Sequence, residues 1–568
     1  MDYAIDKIKK EILEAVKQAV SVDIDISKLE IEQPPEANMG DFAVPCFYLT
    51  KLLRISPNQI AQELKDKIRP HGGIKSVQNL GPYLNFFIDS KFLAQKVISE
   101  VEKKGVKYGS HKPGDTKIML EYSGPNTHKE FHIGHLRNNA LGISLVNLLK
   151  FSGKKVIPVN YIGDIGAHVA KCLWAYDKFH KEEELPENKG KYLGAIYAEA
   201  VRKIDDNEAL AKEVAEVQQK LEAGDKYWTK LWKQTRQWSL DELNEVYKTI
   251  GAKFDKIFYE SEVEKPGKKI VEELLEKGIA EKSEGAVIID LEKYNLKKFL
   301  LLKSDGSSLY STKELALAKL KFEKYKVDES YMVIDTRQSF YLQQFFKTLQ
   351  IMGFNKKIAH IPYEFVTLKD GAMASRKGNV VPFEDFLDEV VKVISEETKK
   401  RHADWSDDEV NSTAKKVALG AIKFYMLRVG NNSVITFDLE EARSYDGFTG
   451  PYLQYTVSRI NSILNKPEAK IGKKPDFSLL TDSLEKELLI GLARFPEIVI
   501  EASKELDPSS LAKYLFDLSK GFSSYYQAIP ILASSEELRA SRLALAKSVR
   551  QVLINGLDLL GIEAPEKM

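Results

Sequence analysis

The stretch from Lys117 to Gly163 constrains the fold more than any other part of the sequence. KIMLEYS (117–123) is a short apolar run that reads as a buried strand. GPNTHKEFHIGH (124–135) is broken by glycine and proline and reads as a loop. LRNNALGISLVNLLKFSG (136–153) has helical spacing and stops at Gly153, and KKVIPVNYIG (154–163) is a second apolar strand. Strand, loop, helix and strand within about fifty residues make a βαβ unit of a parallel sheet. Such sheets bind ligands beyond the carboxyl ends of their strands, which is where this loop lies.

The loop holds His128, His132 and His135, three of the nine histidines in the chain. A metal pair on a helix face is one reading, but Gly134 lies between His132 and His135 and no third ligand follows at metal spacing. Core packing is a second reading, and a loop rich in glycine and proline argues against it. The third is an anion site: imidazole donors, a glycine that permits close backbone approach, and the N-terminus of the helix expected from Leu136 all favour negative charge. A second stretch, GAMASRKGNVVPFEDF (371–386), sets Arg376 and Lys377 beside Gly378. It reads either as a solvated basic loop or as one that closes over phosphates.

At 568 residues the chain exceeds what one core supports. Residues 1–112 form an expected α+β unit. It opens on a helix with Ile5, Ile8, Ile12, Ala15 and Val16 on one face, and has a further helix at SPNQIAQELKDKI, capped by Ser56 with Pro57 at its first position. Residues 113–410 read as a Rossmann-type parallel-sheet domain, interrupted by a charged helical insertion at about 173–300. From 411 to 568 the pattern is helical throughout and predicts a bundle. The fold class is therefore α/β multidomain.

A net charge of +1 excludes a generally basic nucleic-acid coat and leaves room for a local basic groove. Cys46 and Cys172, the two cysteines, make neither a disulfide framework nor a zinc ribbon. The N-terminal segment is interrupted by acids and does not read as a signal peptide. A cytoplasmic chain without membrane spans is the expectation.

The two histidine- and lysine-bearing stretches together resemble the paired signature of class I aminoacyl-tRNA synthetases. HIGH stands verbatim at 132–135, and Ala372 to Asn379 is similar to the second motif. The longer series EYSGPNTHKEFHIGHLRN, VNYIGDIGAHV, SDGSSLYSTKELA, GPYLQYTVSRINSIL and GLDLLGIEAPEKM resembles the arginyl-tRNA synthetase family nearly end to end. The resemblance implies ATP-dependent formation of an arginyl-adenylate and transfer of arginine to its tRNA. The partners it implies are tRNA(Arg), L-arginine and ATP, with Mg2+ arriving on the ATP, no protein-bound zinc, no DNA and a monomer. It also implies an N-terminal domain on the tRNA elbow and an anticodon-binding bundle. The rivals are a class I synthetase for another amino acid and a non-catalytic tRNA-binding paralogue.

Carried over position by position, the resemblance puts His132, Gly134, His135, Lys129, Arg376 and Lys377 in the catalytic apparatus. It gives Ser375 and Arg376, with the HIGH residues, to ATP. It gives Glu121, Asn126, His135, Tyr310, Glu314 and Gln338 to arginine. Two departures stand out: Glu314 where the family often has Asp, and Ala372 and Ser375 at the lysine positions of the second motif. The missing lysine charge suggests Lys129 as its replacement.

Overall fold

The computed structural model describes residues 3–205, 207–369, 381–470 and 472–568. The second motif, with Ser375, Arg376 and Lys377, lies outside the described residues.

The N-terminal helix Ala4–Ala19 buries Ile5, Ile8, Ile12, Ala15 and Val16, as their spacing requires. Strands β1 (Phe42–Pro45), β2 (Ile74–Leu80) and β3 (Tyr83–Ile88) form an antiparallel sheet in the order β1-β3-β2. The helix Pro57–Lys67 starts at the predicted cap, with Ser56 accepting from the Gln59 amide and Gln59 reaching back to the Ser56 amide.

The central sheet contains β4 (Lys117–Glu121), β5 (Lys155–Ile162) and β6 (Lys256–Tyr259). A small antiparallel sheet of β7 (Glu281–Ser283), β8 (Ala286–Asp290) and β9 (Lys298–Leu302) follows, before the chain returns through β10 (Glu329–Asp335) and β11 (Lys357–Tyr363). The five main strands are parallel in the order β11-β10-β4-β5-β6. Beginning at β4, the chain builds outward through β5 and β6 and then returns to the other side, so the order switches between β4 and β10. That is where an open parallel sheet leaves a crevice.

The structure differs from the sequence reading in four places. β6 lies inside the stretch read as a single insertion, so the excursion is two: helices between β5 and β6, and the small sheet between β6 and β10. KIFY is too short to stand out from its charged neighbours. The segment HIPYEFVTL divides, with β11 in the main sheet and β12 (Val366–Leu368) paired with β13 (Ile435–Phe437). The helix expected from Leu136 begins at Ile133, with His132 as its N-cap. The boundary placed at 411 falls inside the helix Asp407–Leu427.

The helix Ile133–Phe151 lies on one face of the sheet and is buried nearly all round, polar residues Arg137, Asn138 and Asn139 included. The helices Glu260–Glu276, Tyr310–Tyr325 and Ser339–Ile351 share the apolar core on the other face with the small sheet. The C-terminal bundle buries Phe522 and Tyr525 and leaves Tyr526 exposed.

The N-terminal unit and the bundle share one apolar core. The Tyr108 hydroxyl donates to the Leu492 carbonyl at 2.9 Å, its ring stacks on Phe495, and Asn555 donates to the Tyr108 and Gly105 carbonyls. The bundle also reaches the Ile133–Phe151 helix. Asn147 donates to the Asp558 carbonyl at 2.9 Å, and Gly561, at φ +69°, sits so close to Ile143 that a Cβ would lie 2.7 Å from its Cγ2. Among the described residues, no helix is long and apolar enough to cross a membrane.

Candidate active site

A cleft of about 690 Å3 opens at the β4/β10 switch. His132, Gly134, His135 and Asn126 line one part of it; Glu121, Tyr310, Glu314 and Gln338 line another. Every residue assigned to arginine from the sequence is therefore on its walls. Lys129 is not. Its ammonium lies over the Tyr197 ring, 5.0 Å from the centroid, against the inserted helix Lys189–Ile204.

The loop after β4 holds an unusual shape. Ser123, Gly124 and His128 all have positive φ, which is costly for the two non-glycine residues and persists only where the surroundings enforce it. Here they do. Asn138 accepts from the Ser123 amide and donates to the Val333 carbonyl. Asn160 accepts from Gly124, and Tyr247 bonds both Asn160 and the Ser123 hydroxyl. His128 is fully buried between the hydroxyls of Thr127 and Thr235. It is a core histidine, against the reading that set packing aside for the whole loop. Its positive φ turns the ring inward, which composition does not reveal.

His132 and His135 are arranged differently. His132 Nδ1 accepts from the Gly134 amide at 3.1 Å, and His135 Nδ1 accepts from the His132 amide at 3.2 Å. With both Nδ1 atoms used as acceptors, each neutral ring carries its proton on Nε2. Burial, and then the charge of Lys129, lowers His132 to about 4; burial, and then His132, holds His135 well below its ordinary value. Both are neutral N–H donors at a helix N-terminus, not cations, and the Nδ1 bonds leave no two-histidine grip on a metal. The rings tilt together at 3.8 Å, and His135 stacks on Phe131.

Arg137 lies behind them. Its buried guanidinium donates to the carbonyls of Glu364, Ser433 and Asn431, fixing the helix against the start of β12 and the loop before β13.

The other part of the cleft is acidic. Glu121 is buried and bonded to Lys321 at 2.6 Å. Glu260, at the carboxyl end of β6, is paired with Lys313. Glu314 has no such partner among the described residues, and its buried Oε2, beside the Tyr341 hydroxyl, makes no well-formed hydrogen bond. Burial, and then the neighbouring charge of Glu121, pushes its carboxyl up to about 8. Glu260 and Asp335 both line the cleft and were missed in the sequence; each directly ends a strand of the parallel sheet, and that position was the available signal. Gly163 is needed where Asn126 crosses β5, since a Cβ there would lie 2.1 Å from Asn126 Oδ1.

Residues 97–438 match the family described as tRNA synthetases class I (R), catalytic domain. Residues 453–568 match the DALR anticodon binding domain, and 6–88 the arginyl tRNA synthetase N terminal domain. The chain is 39% identical over 573 residues to the arginine–tRNA ligase of Clostridium perfringens, covering all of both chains. It is 37% identical to that of Bdellovibrio bacteriovorus, covering 100% of this chain and 98% of the other. The arginyl-tRNA synthetase structure from Thermus thermophilus superposes with a TM-score of 0.83 at 28% identity, over 99% of this chain and 100% of that one.

A parallel sheet whose switch-point cleft carries HIGH at a helix N-terminus, joined to a helical bundle, defines a class I aminoacyl-tRNA synthetase. Within that class, the chain belongs to the arginyl-tRNA synthetase family.

Proposed function

We propose that the cleft holds ATP at its HIGH end and the arginine side chain at its acidic end, with the arginine carboxylate directed at the α-phosphate between them. The activity is attachment of arginine to tRNA at the expense of ATP; a synthetase for another amino acid or a non-catalytic paralogue is not favoured. The carrying observation is the polarity of this single cleft: neutral donors and a helix N-terminus at one end, a carboxylate without a partner at the other.

Attack of the carboxylate on the α-phosphate builds negative charge on its oxygens and on the leaving pyrophosphate. Fixed donors are the main resource for stabilising such charge, and they act without reorganising. The Nε2–H groups of His132 and His135 supply two of them, and Gly134 leaves room for the nucleotide against the helix start. Mg2+ enters on ATP, held by phosphates and water. Lys129, Arg376 and Lys377 bring positive charge to the pyrophosphate, and Ser375 belongs with Arg376 to the ATP contacts. Asn126 and Gln338 take the amino-acid end. The terminal adenosine of tRNA(Arg) then accepts arginine from the adenylate, with the N-terminal domain on the tRNA elbow and the bundle on the anticodon. The enzyme acts as a cytoplasmic monomer.

The test is arginine-dependent exchange of pyrophosphate into ATP, with and without tRNA, against a panel of amino acids. Arginine alone should support exchange, and His132→Ala or His135→Ala should slow it by about a hundredfold or more, as loss of one transition-state donor does. Exchange driven equally by lysine or glutamine would defeat the reading.

A further inference from the structure

Among the described residues, three hidden polar atoms on the walls of this cleft lack a well-formed hydrogen bond: Glu314 Oε2, Tyr341 Oη and Tyr161 Oη, the Tyr341 hydroxyl lying beside the Glu314 carboxyl. They come from three elements, the helix Tyr310–Tyr325, the helix Ser339–Ile351 and β5. A buried polar group without a partner costs stability, and folded proteins retain very few. Three facing one cavity are explained if something enters that satisfies them together.

Their surroundings narrow what that is. Burial, and then the charge of Glu314, holds the Tyr341 hydroxyl neutral; burial, and then Glu260 and Glu314, does the same for Tyr161. The Tyr341 ring is fixed by a tilted contact with Phe299 at 5.6 Å. Glu121 and Glu260 already have their lysines, so Glu314 is the one carboxylate of the three without a cation. The occupant must bring one positive charge and donors for three acceptors that stand on three separate elements. A guanidinium has five N–H donors in a rigid plane, of which a carboxylate takes two in parallel. An ammonium is a compact point charge with three rotatable donors.

We propose that Tyr341 and Tyr161 are specificity-determining residues, whose hydroxyl oxygens accept the guanidinium N–H groups that the Glu314 carboxylate leaves unmet. This rests on the reading that the arginine side chain occupies the acidic end. The two tyrosines then favour arginine over lysine. Lysine can satisfy the charge of Glu314 but presents its three donors from one nitrogen, whereas a guanidinium spreads its donors over three nitrogens toward acceptors on three elements, and a site built to hydrogen-bond a group discriminates strongly against analogues that cannot reach it.

Tyr341→Phe and Tyr161→Phe each remove one oxygen and keep the ring. Because neither hydroxyl makes a well-formed hydrogen bond among the described residues, each variant should melt at about the temperature of the parent or higher. Added arginine should then raise that temperature less than it does in the parent. In charging assays the arginine KM should rise about tenfold or more per lost acceptor, with kcat and the ATP KM little changed. The arginine-to-lysine ratio of kcat/KM should fall by a similar factor. A purely structural hydroxyl would instead lower the melting temperature and shift kcat and both KM values together, and that pattern overturns the proposal. So does an unchanged arginine KM in both variants. Glu314→Gln, measured alongside, separates the two levels. If it raises the arginine KM while the tyrosine variants do not, the inference falls alone. If it too leaves the KM unchanged, the placement of arginine falls with it.

Discussion

Lys321 holds the Glu121 carboxylate at 2.6 Å with both side chains buried, about two helical turns beyond Glu314 on the same helix. Glu121 ends the first strand of the sheet and lines the cleft, yet its charge is already met. The acid that faces an incoming cation alone is Glu314. Removing one member of a buried ion pair leaves the other desolvated, at a cost of about 3–5 kcal/mol. Lys321→Met should therefore lower unfolding stability by that order, and adding Glu121→Gln should recover most of the loss. Denaturant melts of the single and double variants check it; a single variant as stable as the parent contradicts the pairing.

Glu314 carries a proton linkage. With its carboxyl at about 8 in the empty protein, it is mainly protonated at pH 7. A bound guanidinium favours the carboxylate, so arginine binding at pH 7 should release a proton, and affinity should rise with pH until about 8. Titration calorimetry in buffers of different ionisation enthalpy measures this directly. Glu314→Gln should abolish the release and weaken arginine by about 2–4 kcal/mol. Binding with no proton exchange at pH 7 rules the linkage out.

Buried neutral histidines set the acid limit of the fold. His128 lies at about 3, and His132 and His168 at about 4, each lowered first by burial. Unfolded, they titrate near 6.5, so below that pH the unfolded chain binds more protons and stability falls with pH. The fully buried His128 alone accounts for about 2 kcal/mol between pH 6.5 and 5. Glu314 and Glu242, both raised to about 8, act in the opposite sense: their contribution falls as pH rises from about 4.5 to 8. Asp558, raised to about 6, and Glu130 and Glu260, also raised, act with those acids, while His135, His111 and His360 are lowered and act with the histidines. The histidine part is therefore read as a difference: the urea midpoint of the parent should fall more between about pH 6.5 and 4.5 than that of His128→Asn, and equal falls would contradict the buried neutral state.

Lys129 rests on Tyr197 outside the cleft wall, and its proposed service to the pyrophosphate requires it to swing from that ring. Lys129→Ala should lower kcat for adenylate formation by about tenfold, the scale of one exposed-to-buried charge contact, and leave the arginine KM nearly unchanged. Ser375→Lys should restore part of the rate. A normal kcat at saturating ATP assigns the charge elsewhere.

The shared core of the N-terminal unit and the bundle changes what a truncation reports. Deleting residues 1–110 would strip Tyr108 from Phe495 and Leu492. The truncated chain should melt well below the parent or aggregate, so it cannot isolate a tRNA contact. Phe47→Ser, at a side chain 53% exposed on that unit, is the cleaner probe. It should leave the melting temperature unchanged and raise the tRNA KM severalfold, because an exposed ring is available to stack on a splayed base. An unaltered KM would remove that ring from the RNA surface.

The βαβ unit, the capped helix at Ser56 and the cleft residues near HIGH were readable because local spacing and punctuation determine them. β6 was not, since four residues carry little periodicity. Glu260 was hidden for the same reason: its meaning depends on the strand that precedes it. The inward turn of His128 depends on a positive φ enforced from Thr235 and Ser239, more than a hundred residues away. The polar scaffold of Asn138, Asn160 and Tyr247 likewise exists only once distant segments meet. The last two misses share one cause, long-range partners that no window of sequence contains.

The bond from Asn147 to the Asp558 carbonyl spans 411 residues. At about 5–20 residues per second, roughly 20–80 s separate the synthesis of its two ends. Over that interval the helices Asp407–Leu427 and Ser483–Glu505, which also pack on the helix that opens with the HIGH histidines, are made in turn, and Glu536–Leu559 closes over it last. The nucleotide end of the cleft is thus among the earlier parts of the chain to be translated and among the later to be finished, and a nascent chain stalled before Asp558 lacks the last of the contacts that cover that helix.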